Sequence, residues 1–95
     1  MKIALQQLIS KGACWDQVCL FKRRYGKSVT VTRRECLAVA GLFNWGWAAI
    51  NLLTTRQRFA YYREINHWWA PRGAINSSAD LSAVRALAFW KASRG

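Results

Sequence analysis

The chain has 95 residues, with fifteen Lys and Arg against four Asp and Glu for a formal net charge of +11, and 53% of its residues are hydrophobic. That length suits a single basic helical domain spanning residues 1–95 and excludes two independent ones, while the apolar content excludes a disordered basic tail. No run approaches the ~20 apolar residues of a membrane span, and MKIALQQLISKG lacks the hydrophobic region of a signal peptide, so a cytosolic protein without a membrane partner is expected.

Residues 1–10 place Ile3, Leu5, Leu8 and Ile9 among polar residues, which predicts a short amphipathic helix stopped by Gly12. Cys14, Val18, Phe21 and Tyr25 then recur at helical spacing. The second helix should end near Tyr25, with Gly26 as a left-handed cap and Lys22, Arg23 and Arg24 in its last turn. SVTVT, residues 28–32, alternates as a strand would, but no partner strand is evident, so an extended linker is expected.

Thr32 and Glu35 have the spacing of a capping box, which starts a third helix at Arg33 that should break near Gly41. Asn44 caps a fourth helix, whose Trp45, Ala48, Ala49, Leu52 and Leu53 give the clearest core pattern; Gly46 offers room for a neighbouring element. Thr54 and Gln57 form a second capping box for a fifth helix. Phe59, Tyr62, Ile65 and Trp69 share one side of it, and Arg58, Tyr61 and Trp68 another. Ala70-Pro71 ends it. After a loop to Ser78, a last helix should turn Leu81, Val84, Leu87 and Ala88 inward and Arg85, Lys91 and Arg94 outward. The expected fold is all-α: one compact bundle of five to six short helices with one extended linker.

The catalytic inventory is thin. Asp16, Glu35, Glu64 and Asp80 are each accounted for by a helix start or an arginine nearby, His67 reads as solvated or capping, and no paired carboxylates or phosphate-binding glycine loop occurs. Cys14, Cys19 and Cys36 lack metal-ligand spacing and read as reduced core thiols. Neither catalytic nor metal-binding residues are assigned, no cofactor is expected, and the chain reads as a non-enzyme.

Residues 56–73, RQRFAYYREINHWWAPRG, hold five of the thirteen aromatic residues and four of the ten arginines. Aromatic rings and guanidinium groups this closely interleaved suit stacking on bases, pairing with phosphates or anchoring a protein interface. Tyr61, Trp68, Trp69, Pro71 and Arg72 are the candidate partner-binding residues. Three basic clusters, Lys22, Arg23, Arg24 and Lys27, then Arg33 and Arg34, then Arg56, Arg58 and Arg63, are candidates for nucleic acid or an acidic surface, with solvated helix ends as the competing use. The Ala70-Pro71 bond adds a candidate contact for a prolyl isomerase, against an ordinary trans helix stop.

GACWDQVCLFKRRYGKSVTVT, residues 12–32, and FNWGWAAINLLT, residues 43–54, resemble a pattern in small proteins of tailed bacteriophages and prophages. There a Gly-Ala-Cys, a Gln-Val-x-Leu-Phe and a Ser-Val-x-Val-Thr precede a Trp-containing helix ending in Leu-Leu. The likeness covers about half of the chain; beyond it, this sequence is cationic and Trp-rich where the group continues into acidic helices. The resemblance implies action on host machinery in the bacterial cytoplasm. The expected function is an accessory protein that inhibits or modifies a host complex acting on nucleic acid, such as a RecBCD-type nuclease and helicase or a CRISPR effector. The alternative is direct binding of DNA or RNA through the basic clusters and stacking aromatics.

Overall fold

A computed structural model describes residues 1–69 and 78–94, with side chains described for 1–66 and 81–94. The chain divides into two compact units, Met1–Val31 and Thr32–Gly95. Among the described residues there are six helices and one two-stranded sheet, so the fold is mostly α, as expected.

The first unit departs from the sequence expectation at its start. Residues Lys2–Ala4 form a strand, β1, and helix α1 is confined to Leu5–Ser10. β1 pairs antiparallel with β2, Ser28–Thr30, in the register Lys2↔Thr30, Ile3↔Val29 and Ala4↔Ser28. The segment expected to be an unpartnered linker is thus half of a ladder. Two further bonds extend it, from the Leu5 N–H to the Lys27 carbonyl and from the Val31 N–H to the Met1 carbonyl, each 2.8 Å. Ile3 is buried, which explains the preference: extended backbone turns its side chain inward while Lys2 stays in water.

Helix α2, Trp15–Tyr25, buries Val18 and Phe21, and the rings of Phe21 and Tyr25 meet edge-on with centroids 5.2 Å apart. Its stop at Gly26 is as expected, although the geometry is not the left-handed helical one. Gly26 has φ +71° and ψ −119°, a region essentially closed to residues with a Cβ. The Gly26 N–H donates to the Lys22 carbonyl at 2.9 Å, and the chain then reverses into β2.

The second unit is built on α6, Ser78–Ser93, against which α3 (Arg33–Ala38), α4 (Trp45–Leu52) and α5 (Thr55–Trp69) all pack, α5 most extensively. Local caps set the helix starts. The Glu35 N–H donates to the Thr32 hydroxyl at 3.1 Å, and the Trp47 N–H donates to Asn44 Oδ1 at 3.0 Å. At α5 the box is reciprocal: the Gln57 N–H donates to the Thr54 hydroxyl and the Thr54 N–H to Gln57 Oε1, at 3.2 and 2.9 Å.

Cys36, Val39, Trp45, Ala49, Leu53, Tyr61, Ala86, Ala88, Phe89 and Ala92 make up the core of this unit. Trp45 and Phe89 lie with ring centroids 5.4 Å apart, and the Trp45 indole N–H donates to the Ala40 carbonyl at 2.9 Å, closing the connection between α3 and α4. The inward side of α6 differs from the expected one: Leu81, Val84 and Leu87 are only half-buried, while Ala86, Ala88, Phe89 and Ala92 are buried. Three alanines there admit close helix approach, and Phe89 supplies the volume. Gly46 has no close neighbour to accommodate, since a Cβ there would meet only Asn44 Oδ1 at 3.6 Å.

Replacing Phe89 with Ala should cost about 3–5 kcal/mol, the usual range for a buried aromatic side chain. Urea unfolding followed by far-UV circular dichroism measures it, and a change below about 1 kcal/mol would mean that Phe89 is not central to the core.

Candidate partner interface

Helix α5 sets the site through its rotation about its own axis. Gln57 and Glu64 face α6: Gln57 Nε2 donates to the Ser93 carbonyl at 3.5 Å, and Lys91 Nζ donates to Glu64 Oε1 at 2.8 Å. Tyr61, one turn from each, is 1% exposed. The expectation that Tyr61 binds a partner or stacks on a base is therefore corrected. Its ring is a core element, edge-on to Tyr62 at 5.4 Å, and burial pushes its hydroxyl up to about 12.

Turning Tyr61 inward sends the other side of α5 into water. Phe59 is 66% exposed and Tyr62 41% exposed, although the sequence grouped both on an apolar side with Ile65. Arg56, Ala60, Arg63 and Asn66 are exposed as well. At 100° per residue, Tyr62, Asn66, Phe59, Arg63 and Arg56 fall in order across about a third of the helix circumference. Two rings lie beside two guanidinium groups there, and no carboxylate intervenes, because Glu64 is on the opposite side. The signal that would have revealed this face is polar: Gln57 and Glu64 bracket Tyr61 at i−4 and i+3, and both find partners on α6.

Arg58 sits at the margin of this face, half-buried, and its Nε is enclosed without a hydrogen-bond partner among the described residues. An enclosed donor of this kind costs about 1–3 kcal/mol until an acceptor reaches it. Trp68 and Trp69 belong to the last turn of α5, but their side chains lie outside the described residues, as does that of His67. Pro71 and Arg72 lie outside altogether, and with them the proposed prolyl isomerase contact.

The other basic clusters are at the surface. Lys22, Arg23, Arg24 and Lys27 are exposed in the first unit, with the Arg24 guanidinium 5.7 Å from the centre of the Tyr25 ring. Arg33 and Arg34 are exposed in the second, in the first turn of α3, where a cation opposes the helix dipole. Helix stability does not explain their placement.

All three cysteines are free thiols, but only Cys36 has the core position expected of the set. Cys14 is exposed as the N-cap of α2, and Cys19 is half-buried. Burial, with a smaller contribution from the Glu35 carboxylate, raises the Cys36 thiol to about 11. Among the described residues no group of three His, Cys, Asp or Glu side chains could hold a metal ion. No described helix is long and apolar enough to cross a membrane. No family model matches this chain, and no curated protein or solved structure matches it either.

Two buried acids with raised pKa values make stability fall in alkali. Each binds its proton more tightly in the folded state than in the unfolded chain, so its contribution is complete below the unfolded value and is lost as pH climbs through the folded one. For Cys36 that window runs from 9.0 to about 11 and for Tyr61 from 10.0 to about 12. Urea midpoints measured across that range should decline for the parent chain and decline less for the Cys36→Ala and Tyr61→Phe variants. Identical slopes in all three would show that neither group is responsible.

Proposed function

We propose that this chain is a phage-encoded, non-catalytic accessory protein that binds a host complex acting on nucleic acid and inhibits or modifies it. A RecBCD-type nuclease and helicase, or a CRISPR effector, is the class of target in view, and the bacterial cytoplasm is the place of action. The observation that carries the reading is the exposed side of α5. Phe59, Tyr62, Arg63 and Asn66 follow the i, i+3, i+4, i+7 spacing with which a helix seats itself in a protein groove. Aromatic residues and arginine are the types that dominate interface energies, and here they stand in water on a rigid, capped helix.

Charge chooses the groove. Among the described residues Arg56 and Arg63 flank the rings with no carboxylate on the same side of α5, and the enclosed Arg58 Nε has no acceptor. An apolar trough with an acidic rim meets all of these needs, whereas a second copy of this chain would bring like charge against like. Phe59 and Tyr62 are the expected anchors, at ~2 kcal/mol each, and the arginines tune orientation and association rate.

The test uses the purified host complexes with the full chain immobilised. Phe59→Ala and Tyr62→Ala should each weaken retention of the target roughly thirtyfold and relieve its inhibition in parallel. Thermal unfolding should be unchanged for Phe59→Ala and lowered slightly for Tyr62→Ala, which loses its edge-on contact with Tyr61. Equal retention by the parent chain and the double variant would overturn this role for α5. Absence of any effect on every nuclease, helicase and effector complex assayed would overturn the functional reading itself.

A further inference from the structure

The first unit carries six cations, Lys2, Lys11, Lys22, Arg23, Arg24 and Lys27, against a single carboxylate, Asp16. They are not evenly spread. Asp16 sits in the first turn of α2, where it complements the helix dipole, and Lys22, Arg23 and Arg24 crowd the last turn, with Lys27 just beyond Gly26. At 1.5 Å rise per residue, about 9–12 Å of helix separates the acid from these cations, too far for an ion pair along α2. Val18, Phe21 and Tyr25 occupy the inner side of the helix, so Lys22, Arg23 and Arg24, each turned 100° from the last, ring the rest of its end.

The backbone beneath this ring is fixed. Gly26 reverses the chain, its N–H is held by the Lys22 carbonyl, and the Lys27 carbonyl is held by the Leu5 N–H at the edge of the β1–β2 ladder. Lys22, Arg23 and Lys27 thus stand on one tied stretch of backbone, not on a frayed terminus. Neighbouring phosphates along a nucleic-acid strand lie a few ångströms apart and are met by cations presented in this manner.

We propose that this corner of the first unit is a contact site for the phosphate backbone of nucleic acid, made by Lys22, Arg23 and Lys27. The inference is independent of the α5 reading and goes beyond it: a protein attached to a nucleic-acid-processing complex would also touch that complex's substrate. Cations at a helix C-terminus also complement the helix dipole, and the two roles predict opposite results. A dipole role requires neutralisation to lower stability; a phosphate role requires it to remove affinity while relief of self-repulsion leaves stability unchanged or raised.

The experiment is fluorescence anisotropy of the full chain with a labelled single-stranded oligonucleotide and with the duplex of the same sequence. With three phosphate contacts on the duplex, the parent chain should lose affinity about 40-fold between about 50 and 200 mM salt, a log–log slope of about −2.7. The K22Q/R23Q/K27Q variant should flatten that slope and bind only weakly at low salt, with Arg24 left in place over Tyr25. The F59A/Y62A variant should bind both oligonucleotides as the parent does, which separates this site from the partner face. Three outcomes would overturn the proposal: parent affinity and slope in the K22Q/R23Q/K27Q variant, absence of binding to either oligonucleotide, or tighter binding to phosphatidylglycerol vesicles than to both.

Discussion

The inward turn of Tyr61 is the constraint on which the second unit depends. A phenol that is 1% exposed, with Gln57 and Glu64 bonded to α6 on either side of it, leaves α5 little freedom to rotate. Once that rotation is fixed, Phe59, Tyr62, Arg56 and Arg63 have nowhere to go except into water. The exposed aromatic side is thus a product of core packing. Its rings cost the fold little, because they are presented by a helix whose other side already holds it in place.

Charge is organised to the same end. An excess of eleven positive charges on 95 residues opposes compaction, and several contacts among the described residues offset it. The Lys91–Glu64 pair, half-exposed and worth little by itself, fastens α5 to α6. Asp16 and Glu35 lie in the first turns of their helices, and Arg94 lays its guanidinium 4.8 Å from the centre of the Trp90 ring. Within the second unit Arg56 and Arg63 lie on the other side of α5 from Glu64, and within the first the cations beside Gly26 stand at the opposite end of α2 from Asp16; those are the surfaces proposed as partner contacts.

Much of the fold was legible because it is local. Thr32 with Glu35, Asn44 with the Trp47 N–H, and Thr54 with Gln57 act within one turn, so four residues suffice to announce each helix start. The ladder was hidden because Ile3 and Leu5 suit an amphipathic helix equally well, and because the partner of Ile3 is Val29. The inner side of α6 was misread because alanine contributes little to an apolar pattern, although three alanines line it. On α5, aromatic residues on two sides gave no contrast for periodicity to detect. The expected contacts at Trp68, Trp69, Pro71 and Arg72 fall outside the described side chains. Phe59, which the sequence grouped with Tyr62, Ile65 and Trp69 on one side of α5, is the centre of the candidate interface.

The pairing of Ile3 with Val29 also orders events during synthesis. A strand made at the start of the unit must wait, unsatisfied along its edge, until the ribosome has released β2 more than twenty residues later. Only α1 and α2 can form beforehand, from neighbours in sequence. The β1–β2 clasp therefore cannot close before β2 has been made, and until it does, the corner at Gly26 that gathers the lysines and arginines lacks the tie from Lys27 to Leu5.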